Sequence, residues 1–224
     1  MLDVGCGKGR WLPLWAQRFP DCRLSGCDIS ENAIAVARQR CAEADLKVSG
    51  KDYVPFNDCS FDFVACIEVI EHVPNADRLL HEINRVLIPG GRLLITAPCA
   101  NSLSFQWFCA HLRPGGHIRT PYGVRWYADD PSHLNRMTSE ELRQQVVEAG
   151  FEFHSFYFWQ HFFATIDSRI GPLVRQPGRR FARIRRRLRW AGVVLEFLSN
   201  VEWSLSKRLP NGSSVIGVFR KRVG

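Results

Sequence analysis

The sequence predicts an α/β fold: a doubly wound, mostly parallel seven-stranded sheet with a basic helical insertion before the last strand. Three observations carry that expectation. Short apolar runs alternate with segments of helical periodicity along most of the chain. The first run, Leu2-Asp-Val4, passes straight into Gly5-Cys-Gly7-Lys-Gly9, a strand turning into a helix. Phe61–Ile67 is almost uninterruptedly apolar, as a strand buried on both faces should be.

The elements follow in order. After strand one, a helix is expected from about Gly9 to Phe19, with Pro13 tolerated in or near its first turn. Strand two, Arg23–Cys27, is closed by Asp28. Ser30 is placed to cap a helix over Glu31–Glu43, with Ala33, Ile34, Ala37 and Cys41 on its inner side. Leu46–Ser49 is a short third strand and Phe61–Ile67 the fourth. A helix over Asp77–Leu87 is expected to stop at Pro89-Gly-Gly91, and strand five to run from Arg92 to Ala97. Thr138-Ser-Glu-Glu141 is a capping box opening a helix that Gly150 closes. Glu152–Trp159 and Ser213–Arg220 complete the strands.

The glycine turn and Asp28 together describe a nucleoside crevice. Gly5, Gly7 and Gly9 remove side chains that would hold a ligand off the backbone. The acid closing the next strand is placed to accept from both hydroxyls of a ribose. A dinucleotide loop would read G-x-G-x-x-G, but position 10 is Arg10, so the spacing is G-x-G-x-G. Asp3 adds a carboxylate that suits an ammonium or sulfonium ligand better than a pyrophosphate.

On these residues the chain resembles the class I S-adenosylmethionine-dependent methyltransferases, a Rossmann-like family, and within them the quinone-biosynthesis group. Leu2–Gly9 looks like the family's first motif and Gly26-Cys-Asp28-Ile-Ser30 like its ribose-binding acid. Val54-Pro-Phe56, Ser60–Val64, Glu68–Val73, Val86–Ile95, and His133 through Phe151 resemble the later motifs in order and spacing, covering about residues 1–160. The resemblance implies S-adenosylmethionine as cofactor and an antiparallel last strand between its neighbours. It also implies methyl transfer to a small-molecule or lipid-linked acceptor, expected on oxygen. A non-catalytic methyltransferase-fold binding module and an RNA methyltransferase stand as alternatives.

Methyl transfer from a sulfonium needs alignment and desolvation more than acid catalysis. The expected cofactor-binding residues are Asp3, Gly5, Cys6, Gly7, Gly9, Asp28, Ile29 beside the adenine, and Ile67. The family's usual adenine-contacting acid falls on Gly50; Asp52 is the substitute. His72, in Glu68-Val-Ile-Glu71-His72, is the candidate base for a hydroxyl acceptor, with His133 as a second catalytic candidate. In some quinone and small-RNA methyltransferases a resembling Glu-x-x-Glu-His with a later histidine holds a divalent cation. The plainer reading is that Glu71 and His72 brace the turn after strand four, and no metal is assigned.

Length and charge set the frame. The 224 residues suit a single domain: a core over 1–160, a substrate-facing segment over 100–137, an insertion over 160–212, and the last strand over 213–224. The eight cysteines contain no C-x-x-C pair, and no secretory leader is read, so reduced thiols in a cytoplasmic protein are expected. Of the net charge of +8, residues 169–208 hold eleven Arg or Lys against only Glu196 and Glu202. Phe181, Ile184 and Leu188 share a helical face amid arginines, and Trp190–Leu198 continues apolar, the pattern of an interfacial helix pair on anionic lipid. An RNA-binding patch and a solvated lid are the other readings of this insertion. Nucleic acid is not the expected partner, because aromatic and aliphatic residues are contiguous rather than interleaved for base stacking. The first motif opens at residue 2, leaving three residues before Gly5 where a buried strand usually has ~5–6. An N-terminally truncated domain with weakened cofactor binding is the expectation.

Overall fold

The structure is a computed structural model. It describes residues 1–100, 117–120, 123–126, 133–135, 137–159, 163, 185–209 and 212–223. Strands β1 (Leu2–Val4), β2 (Ser25–Asp28), β3 (Asp45–Val48), β4 (Phe61–Ile67) and β5 (Leu87–Pro98) pair in parallel as β3-β2-β1-β4-β5. A short hairpin, β6 (His117–Thr120) and β7 (Gly123–Trp126), stands outside this sheet. β8 (Phe151–Trp159) and β9 (Ser214–Lys221) close the far edge, with β9 antiparallel between β5 and β8. The seven-stranded, mostly parallel sheet is the expected one. Strand order reverses between β1 and β4, and ligands of open α/β sheets sit outside the carboxyl ends of the strands at such a point.

Local signals explain most of the helices. α2 (Glu31–Arg40) starts where Ser30 Oγ accepts from the Ala33 N–H. α3 (Ala76–Val86) buries Ala76, Leu79, Leu80, Ile83 and Val86, a stripe at helical spacing. α4 (Ser139–Glu148) opens with a complete capping box between Thr138 and Glu141. The α3 residues, with Leu142 and Val146 of α4, pack with Leu2, Val64, Leu93, Ile95, Phe151 and Phe219 in the main core. A second cluster joins Leu12 of α1 (Leu12–Arg18) to Ile34, Ala37, Leu46 and Cys6.

Three boundaries differ from expectation by three residues or more. α1 begins at Leu12, not Gly9, because Gly7 and Gly9 hold φ of +53° and +71°, outside the right-handed helical region. α2 ends at Arg40 rather than Glu43, where Cys41 swings out to φ −146°. β5 begins at Leu87, five residues early. Phe61 already pairs with Leu87, and the register shift between Phe61 and Phe63 absorbs the Pro89-Gly-Gly91 turn inside the strand. Within the insertion the structure describes one 22-residue helix, α5 (Arg185–Ser206). Most of the 100–137 segment, and Phe181 and Ile184 of the insertion, lie outside the described residues.

Arg85 ties the β3–β4 loop to α3. Its guanidinium donates to the carbonyls of Val54 and Phe56 at 2.9 Å each, to Asp58 at 2.6 Å and to both Glu82 oxygens at 2.8 Å. Glu82 in turn accepts from the Val54 N–H at 3.1 Å. Replacing Arg85 with Ala leaves these acceptors without their donor, so the expected loss is about 2–4 kcal/mol. Denaturant unfolding of the Arg85→Ala protein measures it.

Candidate cofactor and catalytic site

Asp28 organises the crevice. Its Oδ2 accepts from the Gly7 N–H at 2.8 Å and its Oδ1 from the Ser30 N–H at 2.9 Å. The Gly5 and Cys6 N–H groups both donate to the Cys27 carbonyl, at 2.8 and 3.0 Å. The turn after β1 is thereby pinned to the end of β2. A carboxylate offers about four lone-pair sites, so these two bonds leave Asp28 acceptor capacity toward the cavity it lines.

That cavity encloses about 400 Å³ and is bordered by Gly5, Asp28, Ile29, Tyr53, Glu68, Val69, His72 and Leu134 among others. Its size falls within the ~300–1,000 Å³ of small-molecule sites. Beneath the turn, Asp3 is 1 % exposed, and its Oδ2 has no hydrogen-bond partner among the described residues. Burial first, and the Asp28 charge second, push the Asp3 carboxyl from its ordinary 3.8 up to about 8. A buried acceptor of this kind fits a ligand that brings its own positive charge.

The three glycines have different tasks. A Cβ on Gly7 would meet nothing within 4 Å, so Gly7 fronts open space. A Cβ on Gly5 would stand 2.3 Å from the Val69 side chain, and one on Gly9 3.0 Å from the Cβ of Ala37. Those two make room for protein rather than ligand. Cys6 is likewise structural: its side chain belongs to the cluster with Leu12, Ile34 and Leu46, and burial pushes its thiol up to about 12.

Of the nine expected cofactor residues, Gly5, Asp28 and Ile29 border the cavity, and Asp3, Cys6, Gly7, Gly9, Asp52 and Ile67 do not. Asp52 is not among the residues bordering the cavity, and its carboxylate pairs with Arg78 at 3.4 Å. Ser49, Gly50, Lys51 and Tyr53 line that wall instead. Ile67 also falls short, while Glu68 and Val69 reach the cavity. Glu68 sits at φ +54°, uncommon for a residue with a side chain. Its N–H donates to Thr96 Oγ1 at 3.1 Å, and its Oε1 accepts from that hydroxyl at 2.9 Å. Burial raises the Glu68 carboxyl above its usual range, against lowering by the Thr96 hydroxyl and the His72 charge.

His72 borders the cavity, and the His133 ring meets it edge-on with centroids 4.9 Å apart. Glu71, fully buried, places Oε1 3.8 Å from His72 Nε2. Ligand atoms of Glu71, His72 and His133 all lie within 4.8 Å of one another. Asn135, which the sequence reading missed, holds this arrangement. Its amide donates to the carbonyls of Ile70 at 3.0 Å and Val73 at 2.5 Å, while the Leu134 and Asn135 N–H groups bond the Glu71 carbonyl. An asparagine two positions after a candidate histidine was the signal that the sequence offered.

The sheet order, glycine turn and acid at β2 define the class I S-adenosylmethionine-dependent methyltransferase fold. Residues 2–95 match the family model described as "Methyltransferase domain". The chain is similar to a ubiquinone biosynthesis O-methyltransferase of Azoarcus sp. (strain BH72), 37 % identical over 101 residues, covering 43 % of this chain and 42 % of that protein. It is similar also to a demethylmenaquinone methyltransferase of Listeria monocytogenes, 38 % identical over 99 residues, covering 42 % of each. The matched region thus spans less than half the length of these curated relatives. Among solved structures, phosphoethanolamine N-methyltransferase 2 of Haemonchus contortus in complex with S-adenosyl-L-methionine shares the fold. That likeness has a TM-score of 0.62 and 22 % identity, covering 99 % of this chain and 48 % of that one. S-adenosyl-L-methionine is bound in that neighbour, and in this chain the buried Asp3 carboxyl, the open space before Gly7 and the acceptor capacity of Asp28 would fit such a ligand.

Two outcomes are expected. Gly7→Ala costs about 1–2 kcal/mol for its left-handed φ and fills the open space, weakening cofactor binding about tenfold or more. Gly9→Ala adds about 1–3 kcal/mol from crowding Ala37; unfolding midpoints and calorimetry separate the two. Asp3 titrates as well. The folded carboxyl is raised above its unfolded value, so the ligand-free protein holds the extra proton and loses stability as pH rises from 3.8 to about 8. A cation docking on Asp3 expels that proton. Calorimetry at pH 7 in buffers of different ionisation heat should show proton release on binding, up to about one per site, absent in Asp3→Asn.

Proposed function

We propose that this protein transfers a methyl group from S-adenosylmethionine to an oxygen of a small-molecule or lipid-linked acceptor. The observation that carries the reading is His72 at the cavity wall, with the His133 ring edge-on against it and the buried Glu71 beside it. S-adenosylmethionine supplies a methyl group on a sulfonium, which departs as a neutral thioether. The chain's own residues supply the rest. Asp3 takes the positive end of the cofactor, Asp28 accepts from the ribose hydroxyls, and Ile29 and Tyr53 offer apolar surface for the adenine. His72 removes the acceptor's hydroxyl proton, His133 packs its ring, and the Glu71 carboxylate stands opposite the charge His72 then carries. The apolar wall of Val69, Val73, Pro74, Leu79 and Leu134 keeps water from the reacting atoms.

The similarity to quinone-pathway methyltransferases supports a small, apolar acceptor. Peripheral association with the inner face of a membrane belongs to the same reading, since a lipid-linked acceptor is reached there.

A second reading rests on the convergence of Glu71, His72 and His133 within 4.8 Å: the three would hold a divalent cation, which would lower the pKa of an acceptor hydroxyl. Glu68, the fourth residue of the implied set, is not part of that convergence and shares its Oε1 with the Thr96 hydroxyl.

Formation of the demethylated cofactor over a panel of quinol, sugar and lipid extracts tests the reading. His72→Ala should lower turnover about 10²–10⁴-fold while leaving cofactor affinity intact, and Asp28→Ala should abolish binding. No cofactor heat at millimolar ligand would overturn it. Metal analysis of purified protein, with and without Glu71→Ala, decides between base and cation.

A further inference from the structure

The long helix α5 packs against the protein by its less apolar side. Gly192 and Ser199 are buried, and Leu195, Glu202, Trp203 and Ser206 are half-buried, a stripe at helical spacing. Its C-terminal end is anchored to β8. Trp203 meets Trp159 edge-on at 5.2 Å, Arg208 lies over the Tyr157 ring at 5.4 Å, and the Phe158 N–H donates to the Lys207 carbonyl at 2.6 Å. Glu202 accepts from the Phe163 N–H at 3.1 Å.

The opposite side carries Trp190, Val193, Val194, Phe197, Val201 and Leu205, each between 39 and 81 % exposed. A surface helix ordinarily turns its apolar stripe to the core; here the stripe faces out over about 22 Å of helix. Single exposed apolar residues need no explanation, but a contiguous stripe of six marks an interaction surface.

Charge selects the occupant. Arg185, Arg186, Arg187 and Arg189 fill the first turns of α5, and Lys207 and Arg208 follow its last. Two copies stacked on this face, parallel or antiparallel, would set cations against cations at both ends. For RNA, the apolar residues would need to alternate with the arginines as stacking platforms, and they do not. Among the described residues no helix is long and apolar enough to cross a membrane. What remains is a surface at once apolar and anionic.

We propose that the outward face of α5 is an interfacial docking surface for an anionic lipid bilayer. The helix lies in the plane of the headgroups, with Trp190, Val193, Val194 and Phe197 entering the acyl boundary and the flanking arginines meeting lipid phosphates. This deepens the peripheral-membrane part of the reading above and stands apart from methyl transfer, since vesicle binding needs no cofactor. Bound this way, the protein holds its cavity beside the layer that contains a lipid-linked acceptor.

Co-sedimentation with vesicles of equal parts phosphatidylcholine and phosphatidylglycerol, against phosphatidylcholine alone, tests it. The full chain should bind the anionic vesicles and release them as salt rises. W190S/F197S should lower partitioning about 10–100-fold. R186E/R187E should lower it about tenfold or more and flatten the salt dependence. V193D/V201D serves as a second disruption, and thermal unfolding monitors each fold. Four outcomes overturn the proposal: no binding to anionic vesicles at low salt, binding unchanged in both apolar variants, a dimer in sedimentation that W190S/F197S dissolves without any vesicle binding, or RNA retention lost only in R186E/R187E without any vesicle binding. Vesicle binding without cofactor heat would sink the methyl-transfer reading and leave this one standing.

Discussion

The Asp28 carboxylate joins two turns that lie far apart in the chain. By accepting from the N–H of Gly7 on one oxygen and of Ser30 on the other, it locks the exit of β1 to the exit of β2. Everything on the ligand side is referenced to that junction: the open space before Gly7, the buried Asp3 beneath it, and the start of α2. A neutral side chain there would leave two backbone donors at the mouth of the cavity without their charged acceptor.

Around this junction the site gathers carboxyl groups into a low-dielectric environment. Asp3 and Glu71 stand at or just past the carboxyl edge of the sheet, each wholly removed from water, and the more exposed Glu68 borders the cavity. Burying acids without equal numbers of bases is costly for a fold. It is understandable where a cation or a transferred proton completes the charge. Asp3 faces the first need and the Glu71–His72–His133 group the second. The strain at Glu68, held by Thr96, belongs to the same corner of the molecule.

Two supports keep that corner in shape, and neither is part of the crevice. Arg85 fastens the β3–β4 loop to α3, which sets the wall formed by Ser49 to Val54. Asn135 fastens the segment before α4 to the turn at Ile70–Val73, and so brings His133 against His72 across 61 positions of sequence. The far side of the sheet has a different purpose. There β8 and α5 meet through Trp159, Tyr157 and Trp203, leaving the helix's apolar stripe uncovered.

The sequence by itself determined the seven strands of the sheet, the glycine turn, Asp28, the Ser30 cap, the Thr138–Glu141 capping box and the antiparallel last strand that the family resemblance implied. Those are local features: apolar periodicity, left-handed glycines and side chains that bond backbone within a few residues. Only the tertiary structure decided what each face and each side chain meets. Gly7 fronts open space while Gly5 and Gly9 yield to Val69 and Ala37. Asp52 turns to Arg78, Cys6 goes into a core cluster, and Asn135 reaches the β4 turn. The physical reason is common to all of them. Periodicity says that a face is apolar or that a turn is tight, but the partner comes from elements distant in the chain. For α5 the sequence showed an apolar face amid arginines, and only the contacts with β8 decided that this face points outward.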